Sequence, residues 1–219
     1  MQVMQLAELL FTSAIPLIFA ITVHEVAHGW VSYKFGDPTA KMMGRLTLNP
    51  IPHVDLVGTI LLPLGLLVLS WATGGFMPII GWAKPVPVDA RYYRNNWRAK
   101  LAMVSVAGPL SNLIQAAIWV ILFKVAFMSG FTESTTLLHM IQNGVMYNLM
   151  LMAFNLIPVP PLDGGHFLEN IMPLKWASVY GQLERYGFLI VMLLLMSGVA
   201  SYVVWPIYQA GEAILNLLL

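Results

Sequence analysis

The amino-acid sequence predicts an all-α polytopic membrane protein: a helical bundle with a re-entrant or short β element between its first and third helical segments. Three observations carry that prediction. The 219 residues are 58% hydrophobic and only 10% Asp, Glu, Lys or Arg, with a mean hydropathy of +0.75, whereas a soluble domain carries about 25% charged residues. Apolar stretches of spanning length, about 20 residues, recur along the chain. The basic residues gather between those stretches, as membrane topology requires.

The first helix is expected over residues 5–33. Its leading segment, "MQVMQLAELL", lacks the positive start of a cleavable signal peptide, so it reads as an anchor. A second apolar stretch, 56–76, is interrupted by Pro63 and Gly65 and ends in Gly74 and Gly75. Further helices are expected over 99–127, 137–157 and 186–204. Pro206 follows, and 207–219 either continues that last helix with a kink or lies along the interface. This organisation makes 1–219 a single membrane domain, with a core over 5–170, an insert over 45–97 and C-terminal helices over 186–219.

Charge decides how 56–76 sits. Lys34, Lys41 and Arg45 precede it, and Lys84, Arg91, Arg94, Arg98 and Lys100 follow it. Positive loops favour the cytoplasmic side, and a single crossing would put one of these two loops outside. The stretch is therefore expected to dip in and return along 78–88. Irregular backbone at that depth must be buried in protein or line a wet cavity. The same rule brings the C-terminal ends of the first and fourth helices to one side. The net charge of +1 gives no hint of a nucleic-acid partner. The absence of cysteine removes disulfides and thiolate metal sites.

Two polar clusters lie at those helix ends. His24-Glu25-Val26-Ala27-His28 has the pattern H-E-x-x-H. On a helix, positions i and i+4 share a face, so both imidazoles reach one ion. Glu25 lies beside that line and can take a proton from zinc-activated water, whose pKa falls to about 7. Satisfied polar residues on a buried face are the plainer account. Ionisable groups at mid-membrane cost roughly 2–3 kcal/mol or more each, so three at ligand spacing point to one bound zinc. A catalytic zinc takes three protein ligands and leaves the fourth position open. Among His53, His139, His166, Asp55 and Asp163, the best candidate is Asp163. Pro158, Pro160 and Pro161 hold its approach extended, and Gly164 and Gly165 permit a turn with positive φ.

"HEVAH" (24–28), "GPLSN" (108–112) and "NLIPVPPLDG" (155–164) together resemble the site-2 protease family of intramembrane zinc metalloproteases. The resemblance covers about 24–170 and is similar to the compact prokaryotic branch without PDZ or CBS domains. It implies that His24, His28 and Asp163 hold Zn2+, that Glu25 is the catalytic acid/base, and that Asn112 and Asn155 are active-site asparagines, as oxyanion donors or substrate aligners. It also implies hydrolysis of peptide bonds in or near transmembrane segments of membrane-tethered proteins. Such hydrolysis releases a tethered factor or clears signal-peptide remnants. The expected setting is a prokaryotic cell (inner) membrane, with the site toward the cytoplasm.

His53 is read either as a cleft residue (oxyanion donor, resting-state ligand or gate) or as a histidine capping an interfacial turn. Val86 and Val88 flank Pro87 in a segment, 84–88, expected to clamp an unwound substrate by strand addition. His166 is a candidate neighbour of Asp163, and His139 an interfacial residue. A zinc transporter would need polar residues through the full bilayer depth, and the third and fifth helices are nearly bare of ionisable groups. A helix-binding protein without catalysis leaves Glu25 unexplained. Five histidines are too few for a two-iron oxygenase.

Overall fold

A computed structural model describes residues 2–73, 81–130 and 135–218. Helix α1 runs from Gln2 to Lys34, α4 from Trp97 to Met128 and α5 from Thr135 to Asn155. These three pack on one another and form the core. Between α1 and α4 lie the short α2 (Thr39–Met42), a π-helical turn (Leu56–Leu61), α3 (Leu62–Thr73) and an irregular stretch from 81 to 89. After α5 come α6 (Asp163–Ile171), α7 (Leu174–Tyr180), α8 (Gly187–Met196) and α9 (Val199–Leu215). The stretches Phe11–Lys34, Trp97–Met128 and Leu174–Met196 are long and apolar enough to cross a membrane. Three such stretches are what an integral membrane protein carries.

Cross-helix hydrogen bonds fix the directions. Thr136 donates to Glu8, Asn143 to the Thr12 carbonyl, and Asn148 connects through Asn112 to His24. Rising numbers in α5 therefore meet rising numbers in α1, and the two helices run parallel. Val104 meets His28 while Asn112 meets Ala20, so α4 runs opposite to α1. The C-terminal ends of α1 and α5 accordingly lie at the same end of the bundle. Small residues let the helices approach closely: Ala20, Ala116 and Ala153 are fully buried, as expected where helices pack without a hydrophobic gain over lipid. The outward face of α4 carries Met103, Leu110, Ile114, Ile118 and Ile121, all exposed as a lipid-facing stripe would be.

Several expected boundaries change. The helix expected over 186–204 breaks at Ser197–Gly198, where Gly198 takes φ 76°. A left-handed glycine ends α8 in the usual way, and α9 starts afresh and carries Pro206 within it. Its buried Val204 and Ala200 pack with Ala153 and Ile157 of the α5 end. Residues 74–76 and 78–80 of the expected dip and return lie outside the described residues. Among the described residues there is no strand.

Candidate metal centre

His24 and His28 lie one turn apart on α1, both buried. Asp163 is the first residue of α6. One correction applies to the turn that places it. Gly164 and Gly165 are helical and not in the positive-φ region. They serve close approach instead: a Cβ on Gly164 would lie 2.4 Å from the Leu156 carbonyl oxygen, and one on Gly165 2.2 Å from the Pro160 nitrogen. That contact folds α6 back on the end of α5 and turns Asp163 toward α1.

The three side chains converge. Asp163 Oδ2 is 3.1 Å from His24 Nε2, Asp163 Oδ1 is 3.3 Å from His28 Nε2, and the two Nε2 atoms are 3.1 Å apart. The tautomers follow from the far side of each ring. His24 Nδ1 lies 2.6 Å from Asn112 Oδ1, and His28 Nδ1 lies 2.7 Å from the Val104 carbonyl oxygen. Asn112 donates through Nδ2 to the Ala20 carbonyl and to Asn148 Oδ1, which fixes its oxygen toward His24. Both partners are acceptors, so each Nδ1 carries the proton and each Nε2 presents a lone pair inward. Asp163 Oδ2 is buried and has no donor among the described residues.

Two lone pairs and a carboxylate facing one another repel unless a cation lies between them. Two imidazoles and one carboxylate are the donor set of a catalytic zinc with an open position, so the residues fit zinc. A Cβ on Gly108 of α4 would lie 2.3 Å from His28 Nε2 and 2.6 Å from His24 Nε2, so only glycine leaves room opposite the ligands.

The centre opens into a cavity of about 1240 Å³ that Glu25 also lines. Glu25 Oε2 accepts the backbone N–H of Val86 at 2.9 Å. Val88 and Asn155 face the same cavity. Asn155 Nδ2 donates to the Leu151 carbonyl. Asn112 differs from the expectation of an oxyanion donor. It is fully buried behind His24, its oxygen is committed to that ring, and it does not line the cavity. His53 is buried away from the cavity lining, and its Nε2 donates to the Thr47 carbonyl. His166 lines the cavity mouth, with its Nδ1 3.9 Å from Glu169. Asn148, Val104 and Gly108 escaped the sequence reading as individual contributors. Asn148, a polar residue within an apolar helix, carried a signal of its own.

Comparison with known proteins gives the family. The chain is 42% identical over 208 residues to YwhC of Bacillus subtilis, which is named as a candidate zinc metalloprotease; the match covers 93% of this chain and 89% of that protein. It is 31% identical over 195 residues to Rip2 of Mycolicibacterium smegmatis, named likewise, covering 82% of this chain and 64% of the relative. Residues 125–198 match peptidase family M50. The chain belongs to that family, the site-2 proteases. Membership makes it a zinc-dependent metallopeptidase. The matched residues include Asp163 but not His24–His28, so the centre on α1 rests on the convergence of the side chains. No solved structure matches the chain significantly.

Proposed function

We propose that this metallopeptidase cleaves peptide bonds in or near transmembrane segments of membrane-tethered proteins, with His24, His28 and Asp163 holding Zn2+ and Glu25 as the acid/base. The carrying observation is the cavity. It is lined both by Glu25 and the three ligands and by apolar side chains, including Phe154, Met192 and Leu195, as an apolar substrate segment requires. Bound zinc would acidify a water and polarise the scissile carbonyl. Glu25 takes the proton from the attacking water on its carboxylate and returns it to the leaving amine. The Val86 N–H holds Oε2, which leaves Oε1 to carry the proton. Asn112 keeps the His24 ring turned with Nε2 inward, and Val104 does the same for His28.

The insert reads as re-entrant. Trp82 N–H donates to the Gly58 carbonyl and Lys84 N–H to the His53 carbonyl, so the chain leaving the 56–80 stretch lies beside the chain entering it. A segment that crossed the bilayer once would separate those ends. Both basic loops then share one face, which favours a site on the cytoplasmic side of a cell membrane. Segment 84–88 would border the substrate strand. The Lys84 and Val86 amides and the Lys84 and Pro85 carbonyls are committed within the protein, and Pro85 and Pro87 have no N–H, so this edge would meet a substrate through the Val86 and Pro87 carbonyls and the Val88 N–H. Cleavage of a fluorogenic transmembrane peptide by zinc-loaded protein in liposomes tests the reading. Turnover by wild type and none by Glu25→Gln is expected. Turnover by Glu25→Gln equal to wild type would overturn it.

A further inference from the structure

The stretch from 81 to 89 has no regular secondary structure, yet it is tied down along its length. Trp82 donates to the Gly58 carbonyl and accepts from Thr59 Oγ1 at 2.8 Å. Lys84 donates to the His53 carbonyl at 2.9 Å. Asp89 N–H donates to Asp37 Oδ2 at 2.8 Å, just past the end of α1. Between these anchors, Val86 N–H reaches Glu25, and Val86 itself is buried against α1. A Cβ on Gly29 would lie 2.7 Å from Val86 Cγ1, so glycine one turn beyond Glu25 lets this stretch lie on the helix.

The tie nearest Val86 is Arg45. Its Nη2 donates to the carbonyl of Lys84 at 2.6 Å and to that of Pro85 at 3.2 Å. The Pro85 carbonyl belongs to the same peptide unit as the Val86 N–H, so holding that oxygen holds the amide. Arg45 is only 5% exposed and makes no ion pair with a carboxylate among the described residues. A buried guanidinium without a counter-charge is costly, and packing alone could be met by an apolar side chain.

We propose that Arg45 is a positioning residue for peptide hydrolysis: by holding the Lys84 and Pro85 carbonyls it fixes the Val86 amide that orients the Glu25 carboxylate. This rests on the protease reading. Arg45 is neither a metal ligand nor a cavity-lining residue itself and reaches the cavity wall only through the Pro85 carbonyl, so its loss acts through the 84–86 backbone on the general base. A displacement of about 1 Å at a reacting group costs up to about 100-fold, and an interaction needed only in the transition state appears in kcat and not in KM.

The experiment uses full-length protein in liposomes with the fluorogenic transmembrane peptide, measuring kcat, KM and zinc per chain for wild type, Arg45→Ala and Arg45→Lys. Arg45→Ala is expected to keep its zinc and its KM within about threefold while kcat falls about 10- to 100-fold. Arg45→Lys, which keeps a charged donor for one carbonyl, is expected to recover part of kcat. Unchanged kcat in Arg45→Ala, a change confined to KM, a loss of kcat that follows loss of zinc, or Arg45→Lys no better than Arg45→Ala would each overturn the proposal. Absence of turnover by zinc-loaded wild type would instead remove the protease reading on which it rests.

Discussion

Replacing Asn112 by leucine separates the two roles open to that residue. Asn112 is fully buried, accepts from His24 Nδ1 at 2.6 Å, and is fixed by its own donations to the Ala20 carbonyl and Asn148. Leucine has the same branched shape, with methyl groups in place of the amide oxygen and nitrogen, and no acceptor. The His24 N–H would then be buried without a partner, at a cost of about 1–3 kcal/mol. Groups that hold a metal-binding histidine in this way are worth about 10–100-fold in metal affinity, or roughly 1.4–2.7 kcal/mol, so the two estimates coincide. Competition with a chromophoric zinc chelator in detergent solution reads the affinity directly. Zinc dissociation about 10- to 100-fold easier than in wild type is expected for Asn112→Leu, with Asn148→Leu weaker because it acts one step further away. Wild-type zinc affinity with a selective loss of turnover would refute this reasoning and return Asn112 to the oxyanion role.

Two further outcomes follow from the same geometry. Gly108→Ala sets a methyl 2.3 Å from His28 Nε2 and 2.6 Å from His24 Nε2, so zinc per chain should fall steeply while helical content by circular dichroism stays unchanged. Asp37 accepts from Ser32, Thr39 and the Asp89 amide; burial pushes its carboxyl up, but those hydrogen bonds outweigh burial and hold it below the usual carboxylate range. A depressed carboxyl contributes stability above the unfolded value of about 3.9 and loses it as pH falls through the lower folded value. The melting-temperature gap between wild type and Asp37→Asn should therefore be constant from about pH 5 to 8 and close below about pH 4.

The core of the site was legible because its information is local. His24 and His28 sit at a spacing that only a helix turns into a shared face, and the proline and glycine residues around Asp163 announce a rigid placement. The three-helix frame was legible from apolar length, and the parallel run of α1 and α5 from the distribution of lysine and arginine. What was not legible was long-range or masked by uniform hydropathy. Nothing near Asn112 in sequence reveals that its oxygen meets a ring 88 residues away, so it read as a substrate group. His53 read equally as a cleft residue or as a histidine capping a turn, because bordering the insert fits both; its Nε2 lies against the Thr47 carbonyl. The break between α8 and α9 falls within an apolar run that looks like one helix, where Gly198 alone marks the turn. Arg45 read as a topological charge because burial cannot be seen in a loop of mixed composition.

The measurement that bears most directly on the centre is zinc per chain in protein extracted gently without chelators, for wild type, Glu25→Gln and Asp163→Asn. About one zinc in wild type, kept in Glu25→Gln and depleted in Asp163→Asn, is the result predicted for a site of two imidazoles and one carboxylate with Glu25 outside it. No bound zinc in wild type, or zinc fully retained in Asp163→Asn, would contradict it.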